Sequence, residues 1–184
     1  LSVTVTEPLS SFAAIPSGKQ LERKEKSEMK GTRHNGRSGK NGVYNPLHND
    51  RRFNPEHSEH IDNERVRQNI YWDCYQGYTT MEDKGKENNF SFEQIELAFY
   101  EEHYGNYVMK QNERHVKARH PDRCKEVEDV WKNKKTCPEE SIYQLGTIDE
   151  HASVETLILV FDEFKKEFDE RFGSNVHIID WSLH

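Results

Sequence analysis

Apolar residues are in short supply, at 33% of the 184 against 32% charged, with a mean hydropathy of −1.06. No apolar run approaches the roughly 20 residues that a membrane helix needs, which excludes a helical span. The opening stretch, LSVTVTEPLSSFAAIPS, lacks a basic start followed by a sustained apolar core, so it does not read as a signal peptide. Cysteine is scarce too. Cys74, Cys124 and Cys137 are the only three, none forms a Cys-x-x-Cys pair, and they are too scattered for a disulfide framework. The spacing of the last two matches no common zinc arrangement. A reducing, cytoplasmic setting fits these absences best.

A chain this polar has room for one domain with a real core, since about 150 residues is a usual domain size, and it is expected to carry unstructured segments as well. Residues 1–29 read as an arm or linker. Val3 and Val5 alternate with serine and threonines in a strand-like way, but Pro8 and Pro16 interrupt before the charged run GKQLERKEKSEMK. The domain is placed at 30–184.

Charge is unevenly spread. The formal net charge is −7, yet Lys30 to Asn54 holds six basic residues, Lys30, Arg33, Arg37, Lys40, Arg51 and Arg52, against Asp50 alone. Basic charge concentrated against the average points to an anionic partner. Within this loop, Arg33-His34-Asn35-Gly36-Arg37 sets an imidazole between two guanidiniums able to hold a phosphate while the ring reaches its phosphorus. A solvated loop with an ordinary surface histidine carries the same residues. Further on, His57 and His60 are spaced to chelate on a helix, but no clear third ligand accompanies them, and a solvent-facing role serves equally.

Periodicity supplies the frame. Val66 to Tyr75 alternates as a half-buried strand, with Ile70, Trp72 and Cys74 on one side and Asn69, Tyr71 and Asp73 on a polar side. Gln76 to Asn89 reads as a surface loop. Ser91 and Gln94 form a capping box that opens a helix with Ile95, Ala98 and Phe99 on its apolar side, running past Gly105 to about Arg119 before Pro121 ends it. On such a helix Arg119 and Arg123 share a face within a second basic patch, which either tracks a phosphate backbone or is merely solvated. Glu140 to Gly146 reads as a strand. Ser153 to Phe172 is a helix with an aromatic stripe of core residues, capped by Ser153 and stopped by Gly173. Val176 to His184 is a last strand, with Ile179, Trp181 and Leu183 opposite Asp180, Ser182 and His184. The expectation is an α+β fold of two layers, a mainly antiparallel sheet packed against long helices.

From about Lys30 onward the pieces resemble the MobV-type relaxases of plasmid mobilisation and plasmid recombination. His34-Asn35-Gly36-Arg37 matches the family's first motif, His-Asn-x-Arg. Asn69-Ile70-Tyr71-Trp72 is similar to its second, Asn-Tyr with an apolar pair, although Ile70 intrudes. IIDWSLH resembles the strand leading into the third, His-x-Asp-Glu-x-x-Pro-His-x-His, of which His184 alone is present.

The resemblance implies a relaxase or HUH-like fold, incomplete at its C-terminal end, and strand-specific nicking and rejoining of DNA through a covalent protein–DNA intermediate. The partner implied is single-stranded or hairpin DNA at a plasmid origin of transfer, and any homodimer would form through a region beyond residue 184. His34 is then the nucleophile, with Tyr44 and Tyr71 as rivals, and neighbouring Arg33 and Arg37 disfavour protonation of its ring. Arg37 holds the phosphate, and Tyr71 with Asn69 lines the site. Arg33, Asn35, Lys40, Arg51 and Arg52 contact DNA. His184 is the first of three histidines that hold Mn²⁺ or Mg²⁺, the ion that polarises the scissile phosphate. If the chain stops at His184, the other two are missing, and DNA is expected to be bound without being cut. Two other classes stay open: a non-catalytic DNA-binding module, and an acidic protein-interaction domain.

Overall fold

The computed structural model describes residues 2–5, 31–35, 46–50, 66–84, 86, 89–145 and 152–183. Strands β1 (Ser2–Val5), β2 (Gly31–Asn35), β3 (Ile70–Asp73), β4 (Gly77–Thr80), β5 (Glu139–Leu145) and β6 (Ile178–Leu183) form one sheet in the order β2-β5-β1-β6-β3-β4. Each pairing is antiparallel. The expected α+β class and antiparallel sheet are present.

Between the strands lie single-turn helices α1 (Pro46–Asn49) and α2 (Met81–Lys84), the long α3 (Phe92–Lys117), the short α4 (Val127–Trp131) and α5 (Val154–Phe172). At the start of α3, Ser91 and Gln94 exchange the two hydrogen bonds of a capping box, as their spacing indicates. Its end is a Schellman turn: His120 N–H bonds His115 O at 2.8 Å and Arg119 N–H bonds Val116 O at 3.0 Å. That turn requires a left-handed residue, and Arg119 supplies it with φ 60°. Arg123 belongs to a separate 3₁₀ turn, Pro121–Arg123, so the expected shared helical face of Arg119 and Arg123 does not form. In α5, Ser153 caps the first turn and Gly173 follows the last. A Cβ on Gly173 would meet Asp169 O at 2.5 Å, which explains why glycine stands there.

Helices pack on both faces of the sheet, giving three layers where two were expected. On one face, Phe161 and Phe168 of α5 bury against Ile178, Trp181 and Leu183, with Ile70, Trp72 and Tyr143 alongside. On the other, Ile95, Phe99 and Tyr100 of α3 and Trp131 of α4 close over Ile179. A bulge in β6 makes this possible. Thr4 pairs with Asp180 and Val5 with Ile178, leaving Ile179 as the extra residue, turned away from Trp181 and Leu183. The simple alternation expected for this strand, with Ile179 beside Trp181, is thereby corrected, and every residue of β6 is buried.

Three further expectations change. Residues 2–5 are not an arm, because β1 lies between β5 and β6, near the middle of the sheet. The stretch after Gln76 is not all loop: Gly77, with φ +74°, turns the chain into β4, which pairs with β3. Finally, the polar side of β3 is the more buried one, with Tyr71 and Asp73 enclosed while Ile70 and Trp72 are half-buried.

Candidate nucleic-acid interface

Antiparallel register links the first and second motifs. Position 34 pairs with Ile142, Ile142 with Ser2, Ser2 with Ser182, Ser182 with Tyr71, and Tyr71 with Thr79, so one transverse row crosses all six strands. Positions 34 and 71 therefore lie on one face, but four strand spacings apart, about 19 Å. One phosphorus cannot meet both, since reacting atoms must come within about 3.5 Å. Strand geometry also separates positions 33 and 34, because successive residues alternate between faces. The expected fork of Arg33 and Arg37 around the ring does not follow from a strand at 31–35. Arg33 pairs with Tyr143 and Asn35 with Ser141. Arg37, Lys40, Tyr44, Arg51, Arg52, His57, His60 and His184 lie outside the described residues.

Tyr71 is a packing residue. Its ring is fully buried edge-on to Phe92, at 5.9 Å between centroids, with the Lys84 ammonium 5.0 Å from its own centroid. Its hydroxyl accepts from Asn69 Nδ2 at 3.3 Å and reaches Met81 Sδ at 3.3 Å. The role expected of Tyr71 and Asn69 beside DNA is thus replaced by one in the core: both are enclosed, and neither meets solvent. Behind them, Lys84 and Asp50 make a buried ion pair, and Asp50 Oδ2 accepts the first N–H of α3, from Phe92, at 3.2 Å. Burial lowers the Lys84 pKa, and the Asp50 carboxylate counters it.

A second buried polar group sits under α3. Glu96 is enclosed, and its Oε2 accepts the Trp131 indole N–H at 2.6 Å. Burial holds the Glu96 carboxyl well above the ordinary range, and neighbouring Asp180 pushes it the same way. Asp73, paired with Asp180 across the ladder, is raised by burial despite accepting the N–H groups of Tyr75 and Gln76 at 2.9 and 2.7 Å. Glu96 was legible in principle. It follows Phe92 and Ile95 and precedes Phe99 and Tyr100 at core spacing, so the stripe passes through it rather than through exposed Ala98. These carboxyl groups do not form a metal cage: among the described residues no group of three or more His, Cys, Asp or Glu is placed to hold an ion.

The exposed chemistry lies at the far end of α3. Lys110, Arg114, Lys117, Arg119, Arg123 and Lys125 stand in solvent within sixteen residues, against Glu113 and Asp122. Ile95, packed on the sheet, and Lys117 are separated by about 33 Å of helix. Asn112 ties the returning chain to this end: its Nδ2 donates to Lys125 O at 2.8 Å and its Oδ1 accepts Lys125 N–H at 2.9 Å. This clamp could not be read from spacing, because it joins two segments across a turn.

No helix among the described residues is long and apolar enough to cross a membrane. No protein-family model, curated protein or solved structure matches the chain.

Proposed function

We propose that this chain is the DNA-processing domain of a relaxase of the plasmid mobilisation type, acting on single-stranded or hairpin DNA with His34 as nucleophile. One observation carries the reading: the strand bearing His34-Asn35 and the strand ending at Leu183, before His184, belong to one antiparallel sheet and share a transverse row. Strand β2 is an edge strand, so one of its sides is unpaired by any other described strand. In the proposed step a ring nitrogen of His34 attacks phosphorus. The new P–N bond forms as the P–O bond to the 3′ oxygen breaks, and the departing oxygen takes a proton from solvent. The excess charge on the phosphoryl oxygens falls to cationic side chains of 30–54. His184 would be one ligand of a Mn²⁺ or Mg²⁺ ion, which when bound would polarise the scissile phosphate as a Lewis acid.

The test is a denaturing gel with a labelled oligonucleotide carrying the transfer origin of a host plasmid, using the protein extended through the residues that follow His184. A covalent adduct in the parent, absent in His34→Ala with affinity nearly unchanged, is the expected result. An adduct that persists in His34→Ala removes this role from His34. A second reading, DNA binding without cleavage, is favoured by the cationic end of α3, which lies far from the row. It predicts salt-sensitive binding and no adduct in any form.

A further inference from the structure

The basic end of α3 borders an open groove of about 560 Å³, formed where residues 125–127 fold back along the helix. Val108, Met109, Val116 and Val127 supply its apolar walls, with Lys117 and Lys125 at its rim. Met109 and Val116 are more than half exposed, which is costly for apolar side chains without a covering partner. The volume is in the range of small-ligand sites, about 300–1,000 Å³.

Resting on the nucleic-acid reading above, we infer that this groove is a second contact for the DNA, taking one or two unpaired nucleotides with bases against the valine and methionine walls and phosphates on Lys117 and Lys125. Charge complementarity selects the occupant. Six exposed cations stand against Glu113 and Asp122 between Lys110 and Lys125 in a chain of net charge −7, so this end, like 30–54, runs against the average charge and draws a polyanion. Glu113 and Glu126 also line the groove. Carboxylates disfavour a bare phosphate inside it but accept hydrogen bonds from the N–H groups of unpaired bases, which a nucleotide offers and a simple anion does not. The walls add the apolar surface on which unpaired bases lie. The Asn112 clamp fixes the Lys125 backbone against α3, so this part of the rim is in place before any ligand arrives. Single-stranded DNA running from the sheet to this groove would span about 30 Å, the length of α3 between them.

The measurement is fluorescence anisotropy with a labelled 20-mer of thymidine, repeated over a salt series. The wild type is compared with Lys117→Glu/Lys125→Glu and with Lys166→Glu/Arg171→Glu, a charge-matched control on α5. All four side chains are exposed or at the surface, and circular dichroism checks that both variants keep the fold. The groove variant is expected to bind at least about tenfold more weakly, and its log K against log salt slope to flatten by about 1.4, the loss of two phosphate contacts at about 0.7 each. The control should bind within about twofold of wild type. An abasic 20-mer should bind the wild type more weakly than thymidine and distinguish the groove variant less. A groove variant that binds like wild type, or a control that loses as much, overturns the groove and leaves the general DNA reading standing. A wild type that binds no DNA at low salt overturns both.

Discussion

At the scale of single residues, the least expected choice is Glu96, a carboxyl placed among Phe92, Ile95, Phe99 and Tyr100 and bonded to the Trp131 indole. Burial raises its pKa, so the native state holds a proton that the unfolded chain releases near pH 4.5. The native state therefore binds more protons over this window. Stability contributed by the protonated group is complete below the unfolded pKa and falls as pH rises toward the folded one. Glu96→Gln keeps an acceptor for the indole and removes the ionisation, so urea titrations should show a flatter pH profile and equal or greater stability at pH 8. Glu96→Ala leaves the indole N–H buried without its acceptor and should cost about 1–3 kcal/mol at low pH. A Gln variant with the parent's pH slope would show that Glu96 does not carry it. The sequence announced this residue only through helical spacing. For Tyr71 and Asn69 it misled, because polar atoms suggested an outward face, whereas inside the protein the amide bonds the hydroxyl and, beside them, Lys84 pairs with Asp50.

Among the elements, α3 and α5 were readable almost to the residue, since caps and a 3.6-residue stripe are local signals. Strand β4 and the bulge in β6 were not, because both depend on partners that are distant or follow a turn. The end of α3 is a mixed case: Pro121 signalled the stop, but nothing in the composition signalled an arginine in the left-handed position. A left-handed non-glycine residue costs about 1–2 kcal/mol, so Arg119→Gly should raise stability by about 1 kcal/mol in chemical denaturation. No gain would mean that Arg119 makes compensating contacts at the turn. The same variant removes one cation from the patch, so DNA affinity should fall modestly while stability rises, separating the two roles of this position.

For the molecule as a whole, the informative feature is the position of β1, seated between β5 and β6 with helices on both sides of the sheet. Removing residues 1–5 should do more than shorten the sheet. It separates β2 and β5 from β6, β3 and β4, and hydrogen exchange should show amide protection lost in β5 while β3 and β4 keep more of theirs. Unchanged protection in β5 would mean that β1 is dispensable. Composition argued for an arm here because Pro8, Pro16 and the charged run that follows are local, whereas the partners that make a strand of Val3 and Val5 lie at the opposite end of the sequence. Val3 pairs with Ser141 on one side and Trp181 on the other. During synthesis, at about 5–20 residues per second, β1 must wait on the order of 10–40 s for its partner β6. Until then β1 has at most β5 beside it, and the native sheet closes only when β6 has left the ribosome.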